Sequence, residues 1–256
     1  LVSANTVVAA NPAKTGITTA QAEAIAENTN KVGVKNGTTA GEMQYWDGTD
    51  WASVEVSANE GATLQLIGGV PTWTGGTAPL KVGDYRDGGV VFYVAPEPTD
   101  LNGNGTLDKG LVCAVRDQDG GSGIEWYNDN FTRTGATATG IGAGQTNTTA
   151  IINNQGTGTY AASVCDDYSV TIGATTYDDW FLPSKDELNL MYQNKATIDA
   201  TATAGTNGGS DFASDSYWSS TEVDDVVAWL QLFLNGDQRN YFGKDSTDRV
   251  RAVRAF

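Results

Sequence analysis

The sequence predicts an α+β fold, and three observations support that class. Gly88–Val94 and Lys109–Val115 are short apolar runs rich in valine, which is typical of buried strands. Ser184 and Glu187 form the spacing of a capping box, which marks the start of a helix. The chain of 256 residues is 39% hydrophobic and contains 31 Gly, a composition that favours a packed core joined by many turns.

Residues 1–33 are expected to form a short trimeric coiled-coil stalk. Ile25, Asn28 and Val32 are spaced by three and four residues, as heptad core positions are. An Asn at a core position fixes register and strand number. Ile25–Thr29 resembles the Ile-x-x-Asn-Thr segments of trimeric adhesin stalks, which implies a homotrimer whose Asn28 side chains hold an axial anion such as chloride. The alternative is a monomeric helix with Asn28 on its surface.

Residues 34–77 are expected to form a small module of two β-hairpins. Asp47-Gly48 lies between two aromatic-rich runs, a pattern typical of a tight hairpin turn. Gly68-Gly69 marks a second turn of the same kind. Roughly 44 residues cannot bury much surface alone, so the sequence favours a spacer without a ligand of its own.

Residues 78–256 are expected to form one α+β domain with a characteristic set of segments. GGVVFYV, GLVCAV, WFLPSKDEL, YWSSTE and RVRAVRAF together resemble a bacterial and phage domain family of C-type-lectin fold. Residues 217–256 resemble the variable proteins that diversity-generating retroelements diversify. In that family, error-prone reverse transcription at adenines rewrites selected codons while the fold stays constant. The resemblance therefore implies a ligand-binding domain with a variable region at 217–256.

The variable region contains a candidate binding face around the segment 229–234. This segment alternates with period two, so if Trp229 and Phe233 point into the core, the three leucines point to the opposite face. Neighbouring acidic residues would supply the polar rim of a recognition surface. The alternative is a core hairpin with these leucines buried between two layers. The eighteen positions expected to face the ligand are Val223, Asp224, Asp225, Val226, Val227, Leu230, Leu232, Leu234, Asp237, Arg239, Asn240, Tyr241, Phe242, Gly243, Asp245, Ser246, Thr247 and Asp248.

A codon argument applies to these eighteen positions. Randomising both adenines of an AAC codon leaves C in the third position, and this excludes Glu, Lys, Gln, Met and Trp. None of the eighteen positions carries an excluded residue type. The codon pattern therefore agrees with the resemblance.

Residues 100–108 have the side-chain spacing of the first part of an EF-hand loop. The twelfth position would be Leu111 and not Glu, so the usual bidentate ligand is missing. The spacing is compatible with a calcium site and with a plain Asx-type turn, and the sequence does not decide between them. The Glu-Pro-Asn triplet of sugar-binding C-type lectins is absent. The candidate calcium ligands are Asp100, Asn102, Asn104, Thr106 and Asp108.

Charge and composition argue against several classes of function. The formal net charge of -16 opposes binding to the phosphate backbone of nucleic acids. No run of about 18 apolar residues is present, so membrane insertion is not expected. The chain has no His, which removes the usual base of serine and cysteine triads, and an enzyme is not expected. Cys113 and Cys165 are open to two interpretations, one disulfide or two buried thiols.

The sequence therefore predicts a receptor-binding protein with a hypervariable surface. Its expected setting is the tip of a phage tail fibre that recognises a bacterial surface protein or glycan, on the virion or otherwise outside the cell. One alternative is a bacterial cell-surface adhesin. Another is a calcium-dependent structural module of a filament, without a diversified site.

Overall fold

The structure is a computed structural model in which the chain divides into two compact units, one ending at Pro79 and one beginning at Leu80. Residues 19–21 and 23 are helical and exposed. Asn28 lies outside the described residues, so the stalk, the trimer and the axial anion stay predictions. The structure describes residues 19–21, 23, 42–59, 61–76 and 78–256.

The first unit contains both predicted hairpins. Gly68 and Gly69 have φ values of 59° and 84°, a left-handed conformation that glycine adopts without steric cost and that a tight hairpin turn requires. The indole N–H of Trp73 donates to the carbonyl of Glu55 over 2.7 Å, which joins the second hairpin to the end of the first. The four strands are β1 (Met43–Trp46), β2 (Trp51–Val54), β3 (Thr63–Ile67) and β4 (Val70–Thr74).

The second unit, 80–256, is described throughout and is mixed α+β, which confirms the predicted class. Its nine strands are β5 (Tyr85–Arg86), β6 (Gly89–Thr99), β7 (Asp108–Ala114), β8 (Val170–Ile172), β9 (Thr175–Tyr177), β10 (Ser216–Glu222), β11 (Val227–Leu232), β12 (Gln238–Gly243) and β13 (Val253–Ala255). Its four helices are α1 (Gly144–Gln155), α2 (Ala161–Asp166), α3 (Lys185–Gln193) and α4 (Lys195–Ala202).

The strands of the second unit form three antiparallel sheets. The orders are β13-β7-β6-β5, β10-β11-β12 and the hairpin β8-β9. The C-terminal strand β13 pairs with β7, with Val253 opposite Cys113. The chain end is therefore part of the central sheet, and this pairing ties the C-terminal end of the variable region to the core.

Both cysteines are free and buried, which corresponds to the interpretation as two buried thiols. Burial raises the pKa of Cys113 to about 12 and raises that of Cys165 well above its usual value. A thiol with so high a pKa is a poor nucleophile.

Two buried tryptophans connect the loop before α1 to strand β10. The indole N–H of Trp126 donates to the carbonyl of Ser219 over 2.8 Å, and that of Trp218 donates to the carbonyl of Ile124 over 3.0 Å. Both side chains are 0% exposed. Because their only polar groups are satisfied, these large rings can be buried without an unpaired donor. They fix the loop around residue 125 against the sheet that carries the variable region.

Helix α3 begins with the predicted capping box. The hydroxyl of Ser184 accepts the backbone N–H of Glu187, and the carboxylate of Glu187 accepts the backbone N–H of Ser184 over 2.7 Å. The same carboxylate also accepts the N–H of Gly142 over 2.8 Å. Burial raises the pKa of Glu187 to about 7. Among the described residues, no helix has the length and apolar character that crossing a bilayer needs.

Candidate ligand-binding face

The sheet β10-β11-β12 is the scaffold of the candidate face. Strand β11 is central and is hydrogen-bonded on both sides, with Leu230 opposite Trp218 in β10 and Ala228 opposite Phe242 in β12. The register shifts within both pairs. Strand β12 lies at one edge of the sheet, and the exposed residues of the variable region lie in β12, in the turns on either side of it and in the β10–β11 turn.

The prediction that the Leu230 side chain is exposed is wrong. Its side chain is 1% exposed and packs in the core with Trp218 and Ala228. Leu232 is half-buried against the same cluster, whereas Leu234 is 69% exposed beyond the end of β11. Strand β11 is covered on both faces, so neighbouring residues that point in opposite directions are both buried. A period of two in the sequence therefore does not show which face meets the larger core.

The other seventeen predicted positions are accessible to different degrees. Nine are half-buried, namely Val223, Asp224, Val227, Leu232, Arg239, Phe242, Gly243, Ser246 and Asp248. Eight are exposed, namely Asp225, Val226, Leu234, Asp237, Asn240, Tyr241, Asp245 and Thr247.

An aromatic pair lies in β12. The rings of Tyr241 and Phe242 are stacked with centroids 5.0 Å apart, and the guanidinium of Arg239 lies 5.9 Å from the Phe242 ring. Tyr241 is 66% exposed. Exposed aromatic rings beside polar groups are typical contact groups in recognition surfaces.

Two predicted contact residues have bonds that shape the backbone. One carboxylate oxygen of Asp224 accepts the N–H groups of Val226 and Val227, each over 2.8 Å, and these bonds lower its pKa. Asp248 accepts a hydrogen bond from the hydroxyl of Ser216, and burial raises its pKa. Asp224 therefore closes the turn between β10 and β11, and Asp248 fastens the segment after β12.

A buried ion pair anchors the variable region, and the sequence analysis missed it. The ammonium of Lys244 lies 3.0 Å from the carboxylate of Glu222, and the two side chains are 0% and 1% exposed. The ammonium also donates to the carbonyl of Thr132 and lies 4.4 Å from the centroid of the Trp126 ring. The carboxylate accepts the N–H groups of Thr134 and Gly135 as well. These bonds and the ammonium outweigh burial and lower the pKa of Glu222.

A second buried anchor is the side chain of Gln231, which is 0% exposed. Its amide donates to the side-chain oxygen of Asn189 in α3 over 3.0 Å and to the carbonyl of Gly236 over 3.2 Å. Gln238 donates to the carbonyl of Lys185, also in α3, over 3.1 Å. Strands β11 and β12 are therefore fastened to one helix through two glutamines.

The residue types that the codon argument excludes were a signal for these anchors. Five such residues occur between 222 and 248, and none of them is exposed. Those five are Glu222, Trp229, Gln231, Gln238 and Lys244.

A loop outside the variable region borders the candidate face and was also missed. The rings of Tyr127 and Phe131 have centroids 4.6 Å apart, and Phe131 is 44% exposed. The backbone N–H of Trp126 donates to the carbonyl of Lys244 over 2.9 Å, which places the loop beside the end of β12. No repeated pattern in the sequence distinguishes these two aromatic residues from core residues.

The candidate calcium loop is closed by its own side chains. The carboxylate of Asp100 accepts the N–H groups of Gly103 and Gly105 over 2.7 and 2.9 Å, and these bonds lower its pKa. Leu111, at the twelfth position, is fully buried in β7 and cannot be a ligand. Within the described residues, no three His, Cys, Asp or Glu side chains are grouped so as to hold a metal ion. The side-chain oxygens of Asn102 and Asn104 accept N–H groups two residues on, and Asp108 accepts the N–H of Leu101.

Comparison with solved structures finds a similar fold in a fimbrial protein from Bacteroides ovatus ATCC 8483. The TM-score is 0.51 at 16% sequence identity, over 70% of this chain and 50% of that chain. The chain therefore spans about half the length of the fimbrial protein. No protein-family model and no curated protein matches the sequence. The likeness shows a shared mixed α+β fold.

Proposed function

We propose that the second unit is a ligand-binding head of C-type-lectin type, whose diversified surface consists of the edge strand β12 and the turns on either side of it. Its activity is recognition and not catalysis. The absence of His from the sequence and the high pKa values of both buried thiols support this choice, because the common general base and an activated nucleophile are both lacking.

One observation carries the proposal, namely the division of residue types between 222 and 248. Eight of the eighteen predicted variable positions are exposed and nine are half-buried, and all eighteen carry types that adenine mutagenesis of AAC can produce. The five residues of types that it cannot produce are half-buried or buried and are held by specific contacts. Residue types outside the codon set are therefore confined to half-buried and buried positions, as a constant scaffold beneath a diversified surface requires.

The energetics of substitution support the same division. Exposed positions without structural bonds tolerate replacement with changes of about 0.5 kcal/mol or less in the free energy of unfolding. Loss of one partner of a buried ion pair costs about 3–5 kcal/mol. Diversification at Tyr241 or Asn240 would therefore leave the fold intact, whereas diversification at Lys244 would not.

Two settings fit such a binding head. The likeness to a fimbrial protein supports a bacterial cell-surface adhesin, and the predicted trimeric stalk suits either an adhesin or a phage tail-fibre tip. In both settings, three copies on one stalk would bind a bacterial surface protein or glycan with a gain in avidity and no new contacts. A structural filament module without a diversified site would instead use the same surface for contacts between subunits.

We also propose calcium as a ligand of residues 100–108. The oxygen-only donor set supports this, because two carboxylates and two amide oxygens are the groups that calcium prefers. The expected result is that calcium raises the melting temperature of the full chain and that Asp100→Ala removes this response, while magnesium in equal amount has a smaller effect. An unchanged melting temperature in calcium and in chelator would contradict the site.

The test of the binding face uses two sets of substitutions in the full chain. One variant replaces Val226, Asn240 and Tyr241 by serine, and a matched control replaces the exposed residues Ile172, Thr175 and Thr176 of the β8-β9 hairpin by serine. We expect the first variant to keep its melting temperature and lose binding to a panel of intact bacterial cells, and the control to keep both. Equal binding by the two variants would contradict the proposal.

The origin of the variation has a separate test in the DNA around the gene. We expect a near-copy of the 3′ end of the gene that differs only at adenines, beside a gene for a reverse transcriptase. Phage structural genes or fimbrial genes next to it would distinguish the two settings. A gene without such a copy would contradict diversification and leave a constant adhesin.

A further inference from the structure

We propose that the loop 125–131 is a constant cation-binding surface beside the variable face, on which a lysine- or arginine-bearing segment of a protein receptor docks. This rests on the proposed binding function of the neighbouring strand β12 and names the chemistry of the partner. The occupant is a basic peptide segment, and the observations that favour it are the ring pair, the arrangement of carboxylates and the rigidity of the loop.

The loop presents the ring of Phe131 to solvent, while the ring of Tyr127 beside it is half-buried against the core. Tyr127 and Phe131 have centroids 4.6 Å apart with an angle of 34° between their planes, and Phe131 is 44% exposed. Lysine and arginine side chains of this chain cover several other rings, including that of Trp126 by Lys244. Within residues 78–256, no such cation is found over the ring of Tyr127 or Phe131. The exposed part of the Phe131 ring is therefore available to an external cation.

Carboxylates surround the ring pair. Glu125 and Asp129 belong to the loop itself, and Asp245 follows Lys244, whose carbonyl accepts the N–H of Trp126. Desolvation and the charges of these carboxylates raise the pKa of the Tyr127 phenol. Asp129 and Asp245 are exposed. The nearest basic residue along the chain, Arg133, acts on Asp224 across the β10–β11 turn, where its charge helps to lower the pKa of that carboxyl. The local charge is negative, which complements an ammonium or guanidinium group.

The backbone of the loop is held rigid on both sides of Asp129. The N–H of Asn128 donates to the side-chain oxygen of Gln155 over 2.8 Å, and the Gln155 amide donates to the carbonyl of Asn130 over 3.1 Å. The Asn128 amide also donates to the carbonyls of Gln155 and Thr157. A surface fixed before binding loses less conformational entropy when a ligand binds.

Asp129 has a φ of 56°, a left-handed conformation that is uncommon outside glycine. Asp and Asn are the residues that adopt it most readily, so Asp129→Asn removes the charge while it keeps the conformation. Such strain is retained most often at binding sites. The substitution therefore separates the role of the carboxylate from the shape of the loop.

The combination of ring faces and carboxylates is selective for organic cations. A ring face attracts an ammonium or guanidinium group through its quadrupole, and a carboxylate accepts charge-assisted hydrogen bonds from the same group. A neutral sugar would also stack on the rings and donate hydroxyl hydrogen bonds to the carboxylates, but it would lack the charge attraction that a cation gains. The variable face could then change its target while this loop keeps a constant contact with basic segments.

The experiment measures binding of a glycine-serine peptide with four lysines to the full chain by calorimetry at low ionic strength. The same peptide with glutamates replaces it as a negative probe, and a glucosamine oligomer tests for a cationic sugar. We expect the lysine peptide to bind, and Phe131→Ala and Asp129→Asn to weaken it by about 3–10-fold each. The matched controls Ile172→Ala and Asp178→Asn, which alter equally exposed residues near the β8-β9 hairpin, are expected to change it by less than about twofold.

Three results would overturn the inference. Equal weakening by Asp129→Asn and Asp178→Asn would show attraction by net charge alone. Unchanged binding in both loop variants would place the peptide elsewhere. Preference for the glucosamine oligomer over the peptide would contradict the assigned occupant. Unaltered melting temperatures of the variants show that each result concerns binding and not folding.

The outcome is independent of the test of the variable face. The variant that replaces Val226, Asn240 and Tyr241 is called the β12 variant. If it loses cell binding while Phe131→Ala and Asp129→Asn retain both cell and peptide binding, the proposed function stands and this inference fails. If the loop variants lose peptide binding while the β12 variant keeps cell binding, the inference stands as a cation site and the proposed variable face fails.

Discussion

Tyr241 and Lys244 are three residues apart in the chain and lie in opposite environments. Tyr241 is 66% exposed on the edge strand β12, whereas the Lys244 side chain is 0% exposed and forms an ion pair with Glu222. One short segment thus contains both accessible and structural residues. Accessibility along such a segment changes from residue to residue. A mechanism that diversifies the surface must therefore replace the accessible residues and leave the structural ones unchanged.

The physical difference between the two positions is the loss of water. A buried ammonium has exchanged its hydration for one carboxylate, one carbonyl and one aromatic ring, so removal of the carboxylate leaves an uncompensated charge. An exposed tyrosine keeps contact with water in any rotamer. The codon table treats the two positions differently as well, because Lys is outside the set that AAC mutagenesis produces and Tyr is inside it.

The largest expected effect is that of breaking the buried ion pair. Lys244→Met should lower the free energy of unfolding by about 3–5 kcal/mol, since Glu222 is then buried without its counter-ion. Urea denaturation of the second unit measures this. Tyr241→Ser is the matched control, with an expected change of about 0.5 kcal/mol or less. Equal losses in the two variants would remove the distinction between the positions.

A double variant sharpens this result. Lys244→Met combined with Glu222→Leu replaces the pair by apolar groups, and most of the lost stability should return. If the double variant is less stable than Lys244→Met alone, the hydrogen bonds from Thr134 and Gly135 stabilise the Glu222 carboxylate by more than its burial without a counter-ion costs.

The next largest effect depends on the different pKa values of two buried glutamates. Glu222 faces a lysine and its pKa is lowered, while Glu187 lacks such a partner and burial raises its pKa to about 7 from the ordinary value of 4.5. A raised carboxyl pKa means that the folded state binds the proton more tightly. Its contribution to stability is therefore full below pH 4.5 and is lost as the pH rises to 7, by about 3 kcal/mol in total.

The measurement is urea denaturation between pH 5.5 and 8 for the parent chain and for Glu187→Gln. The chain has no His, so few other side chains titrate in this range. We expect the parent chain to lose stability as the pH rises, and Glu187→Gln to lose less. Parallel curves for the two proteins would show that Glu187 is ionised throughout, with its backbone hydrogen bonds dominant over burial.

A smaller effect is expected at Gln231. Gln231→Leu leaves the amide oxygen of Asn189 and the carbonyl of Gly236, both half-buried, without their donor, which costs about 1–3 kcal/mol. Asn240→Leu, on the exposed edge strand, is the control and should change stability by about 0.5 kcal/mol or less. Thermal unfolding followed by circular dichroism distinguishes the two. A neutral Gln231→Leu would make that position replaceable and would weaken the proposed division.

The smallest effect concerns the turn before β11. Asp224→Ala removes the acceptor of the Val226 and Val227 N–H groups and should cost about 1 kcal/mol, whereas Asp225→Ala should cost less than about half of that. Chemical denaturation of the two variants measures the difference. If both variants are neutral, Asp224 belongs with the freely replaceable positions after all.

Local signals in the sequence predicted much of the architecture. The α+β class, the hairpins around Gly48 and Gly68 and the capped start of α3 at Ser184 all follow from short-range patterns, and the structure has each of them. These features depend on residues within a few positions of each other, where steric limits and backbone hydrogen bonds act regardless of the rest of the chain. The accessibility of most of the eighteen positions came from the resemblance and not from such a pattern.

The sequence by itself determined which residue types stand in the variable region, and only the tertiary structure decided which of them are buried. Leu230 was placed on the wrong face because its burial depends on strands β10 and β12 on either side. The partners of Lys244 and Gln231 lie 22 and 42 residues away in the chain, and the loop of Tyr127 reaches the edge of β12 only after folding. Burial and charge pairing are set by contacts between distant segments, and periodicity along one strand contains no information on them.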